Sequence, residues 1–195
     1  NEAGRAAHAR ECGALRSYAD YREMLDREKP DLVAVGPRCT TRHKEYLLAC
    51  CEAGAHGILE KPLTPDLEEA DAVIEAIEKR KLKWTIAFNL RVHPAYRHVR
   101  RMVLEEGIVG ELLEVRGRGK EDHRAGAEDL IVLGVHAFDL MIDLLGMPTW
   151  CFADIQVKGR PATKGDVREA TEPLGPIVGD RIGATYGFPN AVYGH

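Results

Sequence analysis

Three short stretches of this chain carry residue types that can do chemistry. The first is Glu60-Lys61-Pro62. It directly follows a short apolar run, and in open α/β sheets ligands bind beyond the carboxyl ends of the strands. A lysine there can donate to a ribose or a substrate hydroxyl. Its pKa falls readily on desolvation, so it can also move protons. The same residue also reads as a solvated lysine before a turn. The second stretch is Gly36-Pro37-Arg38-Cys39-Thr40-Thr41-Arg42-His43. Gly36 lets a ligand approach the backbone. Thr40 or Thr41 can cap the helix that follows, whose N-terminus favours a phosphate or a polarised ligand. An ordinary strand-to-helix turn has the same composition. The third stretch holds His136, with Asp139 three residues on and on the same helical face. Asp129 lies seven residues before His136, about 10 Å of helix rise and too far for a direct hydrogen bond. Val132 stands one turn before His136, the natural place for a carboxylate partner, and cannot serve. A histidine buried in an apolar helix is the alternative reading. The loop Lys120-Glu121-Asp122-His123-Arg124 offers Lys120 and Arg124 to sugar hydroxyls, or is simply solvated. No stretch has metal-ligand spacing, so no metal is expected.

The surrounding elements must position these groups. Leu32–Val35 is a short apolar run between turn formers, which predicts a parallel strand buried on both faces. A helix is expected over roughly 42–53, ended by Gly54. His56-Gly57-Ile58-Leu59 is a second strand that delivers Lys61. The next helix reads as capped by Thr64 with Pro65 in its first turn, and Leu67, Ala70, Val73, Ile74 and Ile77 form its apolar stripe. A third strand is expected at Lys83–Phe88. Alternation at this pitch predicts right-handed crossovers and a mostly parallel sheet. After Pro94 the pattern changes: a helix over about 95–106, a strand over about 111–118, and an apolar helix over about 129–145. A strand near 150–157, a long loop over 158–180 and a strand alternating through Ile182, Ala184, Tyr186 and Phe188 follow. The fold class is therefore α/β: an incomplete Rossmann-type parallel sheet, then an α+β substrate domain with a mainly antiparallel open sheet. The boundary is placed near residue 90, giving partial domains 1–90 and 91–195.

Composition excludes several classes. The net charge of −4 argues against nucleic-acid binding, which needs a basic face. No apolar run approaches the ~18–20 residues of a membrane span, so no membrane partner is expected. The five cysteines are odd in number and none are in CxxC spacing, which suits free thiols in a reducing, cytoplasmic setting. Both ends read as cut from a longer protein.

The order of these pieces resembles one family. Ala53-Gly54-Ala55-His56 leading to Glu60-Lys61-Pro62 is similar to the nicotinamide-side block of the Gfo/Idh/MocA (glucose–fructose oxidoreductase/inositol dehydrogenase) oxidoreductases. Pro30-Asp31-Leu32-Val33-Ala34-Val35 with Pro37 and His43, Phe88-Asn89-Leu90-Arg91 with Pro94, Gly107-Ile108-Val109-Gly110-Glu111-Leu112, and Gly134-Val135-His136 with Asp139-Leu140 resemble further blocks in the same order. The resemblance implies a cofactor, NAD or NADP, and a small sugar or polyol substrate. It implies hydride transfer between nicotinamide and a hydroxyl-bearing carbon. Lys61 and His136 would be the catalytic pair, with Asp139 near and Asp129 a substitute carboxylate if the preceding backbone is not helical. Gly36, Pro37, Arg38, His43, Glu60, Lys61 and Pro62 would bind cofactor, and Arg91 would lie near the nicotinamide or the domain junction. It implies a homo-oligomer for the full-length form, and it places the Gly-rich phosphate loop and first strand before residue 1, so the chain alone is expected to fold poorly or bind cofactor weakly. Two other readings keep the fold: glycoside cleavage or elimination through transient oxidation, and a non-catalytic binding protein on a Rossmann scaffold.

Overall fold

The computed structural model describes residues 2–119 and 124–195. Helices α1 (Glu2–Glu11) and α2 (Tyr21–Glu28) come first, and α1 buries none of its residues. Asp20 starts α2 by accepting from Arg22 N at 2.8 Å. Then β1 (Leu32–Val35), α3 (His43–Glu52), β2 (His56–Leu59), α4 (Leu67–Lys79) and β3 (Trp84–Ile86) build a parallel sheet in the order β1-β2-β3. A single 3-10 turn, Thr40–Arg42, leads into α3. Gly54 follows α3 at φ +79, the left-handed conformation that a glycine reaches without steric cost. The cap of α4 differs from the sequence expectation. Asp66, not Thr64, accepts from Glu69 N at 2.8 Å, because the Thr64 hydroxyl is turned to the carbonyl of Asp66 instead.

The parallel sheet is covered on one face only, which corrects the expectation of a strand buried on both. The registers Ala34↔Ile58 and Val35↔Leu59 show which residues share a face. Val35, Gly57 and Leu59 are buried, with Val33, Trp84 and Ile86 partly buried on the same side. There Val33, Val35, Leu59 and Trp84 pack with Leu25, Leu47, Cys50 and Val73 in one core. Leu32, Ala34, Ile58 and Thr85 alternate to the other face and are exposed. The reason is the arrangement of the crossovers: α3 and α4 pack against each other and against this one core. Gly57 is required by the close packing of Trp84, since a Cβ would lie 2.4 Å from that ring.

The 3-10 turn Asn89–Val92 and α5 (Pro94–Leu104) carry the chain onward. His93 caps α5, accepting from Ala95 N at 3.3 Å. The expected strand over 111–118 is reduced to β4 (Glu114–Val115). Next come α6 (Gly126–Asp129), a π-helical turn Leu130–Gly134, and α7 (Val135–Leu145). The strands β5 (Trp150–Val157), β6 (Arg160–Pro161), β9 (Arg181–Gly187) and β10 (Tyr193–Gly194) join β4 in the order β4-β10-β9-β5-β6. This sheet is mainly antiparallel, with one parallel pair between β10 and β4. The expected loop over 158–180 contains its own small hairpin, β7 (Arg168–Glu169) with β8 (Pro176–Ile177). Met141 of α7, Phe188 and Val192 form the second core.

Candidate active site between the two sheets

Lys61 sits two residues beyond β2, on a turn that is locked from below. His43, at the first residue of α3, is fully buried. Its Nδ1 lies 2.9 Å from the carbonyl of Pro62 and 3.1 Å from that of Leu63, and its Nε2 lies 2.8 Å from that of Pro37. One imidazole therefore ties the turn after β1 to the turn that presents Lys61. This corrects the expectation that His43 contacts cofactor: its ring is enclosed, with both nitrogens facing main-chain carbonyls. Gly36, Pro37 and Arg38 stand exposed at the carboxyl end of β1. A Cβ built on Gly36 meets nothing within 4 Å, so that strand end is open to a ligand.

The Lys61 ammonium donates to the carbonyl of Val132. That residue therefore contributes to the site through its backbone, while its side chain is 4% exposed in the interior. A π turn makes this possible. Val135 N–H bonds to the carbonyl of Leu130, five residues back, so helix phase shifts just before His136. Burial lowers the Lys61 pKa, aided by Arg38 and Arg124, while Glu60 and Glu172 work against the shift. Burial likewise lowers the His136 pKa, and the positive charge of Lys61 adds to it. The His136 ring meets Phe88 edge-on with centroids 5.9 Å apart. Its Nδ1 is buried and takes no hydrogen bond from the described residues.

Asp139 lies near His136, whose titration its charge affects, while the Asp129 carboxylate lines a separate cleft. Asp139 is 7% exposed and held by Arg91, whose Nε lies 2.9 Å from each carboxylate oxygen and whose Nη2 lies 3.2 Å from its carbonyl. Arg91 also reaches Asp143 at 3.4 Å, and Asp143 accepts from Tyr96 at 2.8 Å and Arg100 at 2.9 Å. Arg91 thus stands at the junction of the Asn89–Val92 turn, α5 and α7, engaged with carboxylates. Sequence reasoning missed Asp143, though its i,i+4 spacing from Asp139 was a readable signal. Asp129 points the other way. It lines an open cleft of about 720 Å³ between α7 and β9, together with Gly119, Phe138 and Tyr186, and neither Lys61 nor His136 lines that cleft. A Cβ on Gly119 would lie 2.0 Å from its Oδ2, so the carboxylate is pressed against that backbone. The phase shift of the π turn does not rotate Asp129 toward His136.

Arg124 is 13% exposed and donates to Glu172 at 3.2 Å. Glu172 also receives Arg38. Lys120 lies outside the described residues. Glu128 and Glu172 were missed from sequence, where neither stands in a recognisable spacing.

For a nicotinamide cofactor the residues fit on one side: an open strand end at Gly36, a desolvated Lys61, and a buried His136 nitrogen without a hydrogen-bond partner among the described residues. Among the described residues no group of three or more His, Cys, Asp or Glu could hold a metal ion, and no helix is long and apolar enough to cross a membrane.

Residues 1–88 match the family model described as "Oxidoreductase family, NAD-binding Rossmann fold" (GFO_IDH_MocA). Over this part the chain matches the Gfo/Idh/MocA oxidoreductases, and relatives in that group align along nearly all of it. Levoglucosan dehydrogenase of Pseudarthrobacter phenanthrenivorans is 29% identical over 97% of this chain and 54% of its own length. Myo-inositol 2-dehydrogenase of Thermotoga maritima is 27% identical over 94% of this chain and 57% of its own length. A solved levoglucosan dehydrogenase in complex with NADH and levoglucosan superposes with a TM-score of 0.76 at 26% identity, covering 100% of this chain and 54% of that one. The chain spans about half the length of the relatives it matches.

Proposed function

We propose that the protein is an NAD(P)-dependent oxidoreductase acting on a hydroxyl-bearing carbon of a sugar or inositol-like polyol. Residues 1–90 form the cofactor side and residues 91–195 the substrate side. The observation that carries the reading is the meeting of Lys61, from the parallel sheet, with the His136 turn of the second layer. In this reading the nicotinamide supplies the hydride acceptor or donor. The reacting hydroxyl lies between Lys61 Nζ and His136 Nδ1. Lys61 donates a hydrogen bond that orients it, and the lowered pKa of His136 keeps the ring neutral near pH 7, ready to take the proton at Nδ1. Phe88 covers one side of the ring and limits water. Gly36, Pro37, Arg38, Glu60 and Pro62 border the cofactor, and His43 and Arg91 act by holding the turns in place. In this reading the full-length protein is a homo-oligomer acting in the cytoplasm on small molecules.

The test is titration of NAD(H) and NADP(H) into the full-length protein with nicotinamide fluorescence, followed by turnover assays on levoglucosan and myo-inositol. Micromolar binding of one cofactor and reduction of it by a polyol is the expected result. A well-folded protein that binds neither cofactor overturns the reading.

A further inference from the structure

The segment 171–174 crosses from the second layer onto the turn that follows β1, held by specific polar contacts and by one buried apolar side chain, Leu174. Its anchor is Glu128, a carboxylate with 0% exposure on the short helix α6. Glu128 Oε1 accepts from Thr171 N at 2.9 Å, from the Thr171 hydroxyl, and from Glu172 N at 3.0 Å. Its other oxygen lies 3.7 Å from Arg168. Burial alone would raise its pKa, but the bonds from Thr171 and Glu172 outweigh this and hold it below the ordinary carboxylate range. An ionised, buried carboxylate persists only where such donors compensate it. Its function within the strap is thus to fix two consecutive backbone amides.

Beyond the anchor the strap reaches the cofactor side. Thr40, 1% exposed, donates to the carbonyl of Pro173 at 3.2 Å, and Leu174 is buried. Glu172 is thereby suspended between two arginines from different layers: Arg38 on the turn after β1, and Arg124 at 3.2 Å. Its side chain keeps 24% exposure. A carboxylate offers about four acceptor positions, and two arginine contacts leave capacity for hydroxyl donors. The charges of Glu172, Arg38 and Arg124 all act on Lys61, which places the group beside the reacting centre.

We infer that Glu172 is a specificity-determining residue that accepts hydrogen bonds from hydroxyls of the substrate beside Lys61, and that Glu128 is its positioning residue, pinning the strap on which it stands. The inference rests on the oxidoreductase reading above. A hydrogen bond from a neutral hydroxyl to a carboxylate that is present equally in the ground and transition states changes KM and leaves kcat nearly alone.

The test uses the full-length protein and three variants: Glu172→Gln, Glu128→Gln, and Glu169→Gln as an exposed control on the same hairpin. Affinity for levoglucosan and for myo-inositol is read as KM and, on the NADH-loaded protein, as a dissociation constant from the change in nicotinamide fluorescence. Hydrogen exchange of the Thr171 and Glu172 amides reports the strap. Glu172→Gln should weaken the bound polyol about tenfold or more, with kcat within about threefold and NADH affinity within about twofold. Amide protection should survive in it. Glu128→Gln should lose that protection and weaken the polyol to a similar degree, and Glu169→Gln should match wild type. Polyol affinity within twofold of wild type in Glu172→Gln overturns the specificity role. Full amide protection in Glu128→Gln overturns the positioning role. Wild-type protein that binds neither NADH nor NADPH overturns the oxidoreductase reading instead, and the exchange data still decide the role of Glu128.

Discussion

The two sides of the site are built by opposite means. The Lys61 side is a turn at the end of a strand, fixed by a buried imidazole that faces three backbone carbonyls within twenty residues of sequence on either side. The His136 side is a helix with a π turn, whose contribution to Lys61 is a carbonyl at Val132, and whose surroundings come from Phe88, α5 and a strap forty residues downstream. A side assembled from near neighbours announces itself as a motif. A side assembled from distant segments does so only in part.

Substitutions can break or sharpen that contrast. The largest effect is expected from Lys61→Ala, which removes the donor at the junction of the two sides. Turnover should fall by about 10²–10⁴-fold with the thermal midpoint little changed, and wild-type turnover in this variant would remove the lysine from the chemistry. His136→Asn should follow. In the wild type, polyol oxidation should decline as pH falls through the lowered pKa of His136, because the protonated ring cannot take a proton; the Asn variant should lack that limb. Stability gives the second readout. Between the lowered folded-state pKa and the unfolded value near 6.5, the unfolded chain binds more protons, so stability rises with pH through that window. Asn at this position should flatten the slope, and an unchanged slope would place the titration elsewhere.

His43→Leu probes the other side. It keeps much of the volume and removes the ring nitrogens that the carbonyls of Pro37, Pro62 and Leu63 face. We expect a loss of about 1–3 kcal/mol in urea denaturation, with a smaller effect on kcat than Lys61→Ala. If its kcat fell as far as that of Lys61→Ala, the imidazole would be more than a brace. The smallest effect is expected from Asp129→Asn, since Asp129 lines the cleft on the far side of α7. A change of about twofold or less in kcat is the prediction, and a large loss would return Asp129 to the proton path.

Much of the fold was legible because local rules governed it. Alternation of strand and helix, Gly54 after α3, the apolar stripe of α4 and the two-residue period of β9 are all written in neighbouring residues. The one-sided covering of the parallel sheet was not, because an apolar run such as Leu32–Val35 has the same sequence whether one face or two are packed. The identity of Lys61 and His136 as the candidate pair was readable from their blocks. The partner of Asp139 was not readable, because sharing a helix face with His136 says nothing about Arg91 arriving from another element.

By itself, then, the sequence determined the order of the main elements up to β5, the presentation of Lys61 beyond β2 and the position of His136 on its helix. These depend on capping, periodicity and turn formation, which act over a few residues. Only the tertiary structure decided which groups surround that pair: that Val132 serves through its carbonyl, that Arg91 claims Asp139, that Asp129 faces away, and that Glu128 and Glu172 draw a distant strap to the site. Each of these is a choice among partners separated by tens of residues, and hydrogen-bonding capacity alone does not say which donor meets which acceptor until the chain has packed.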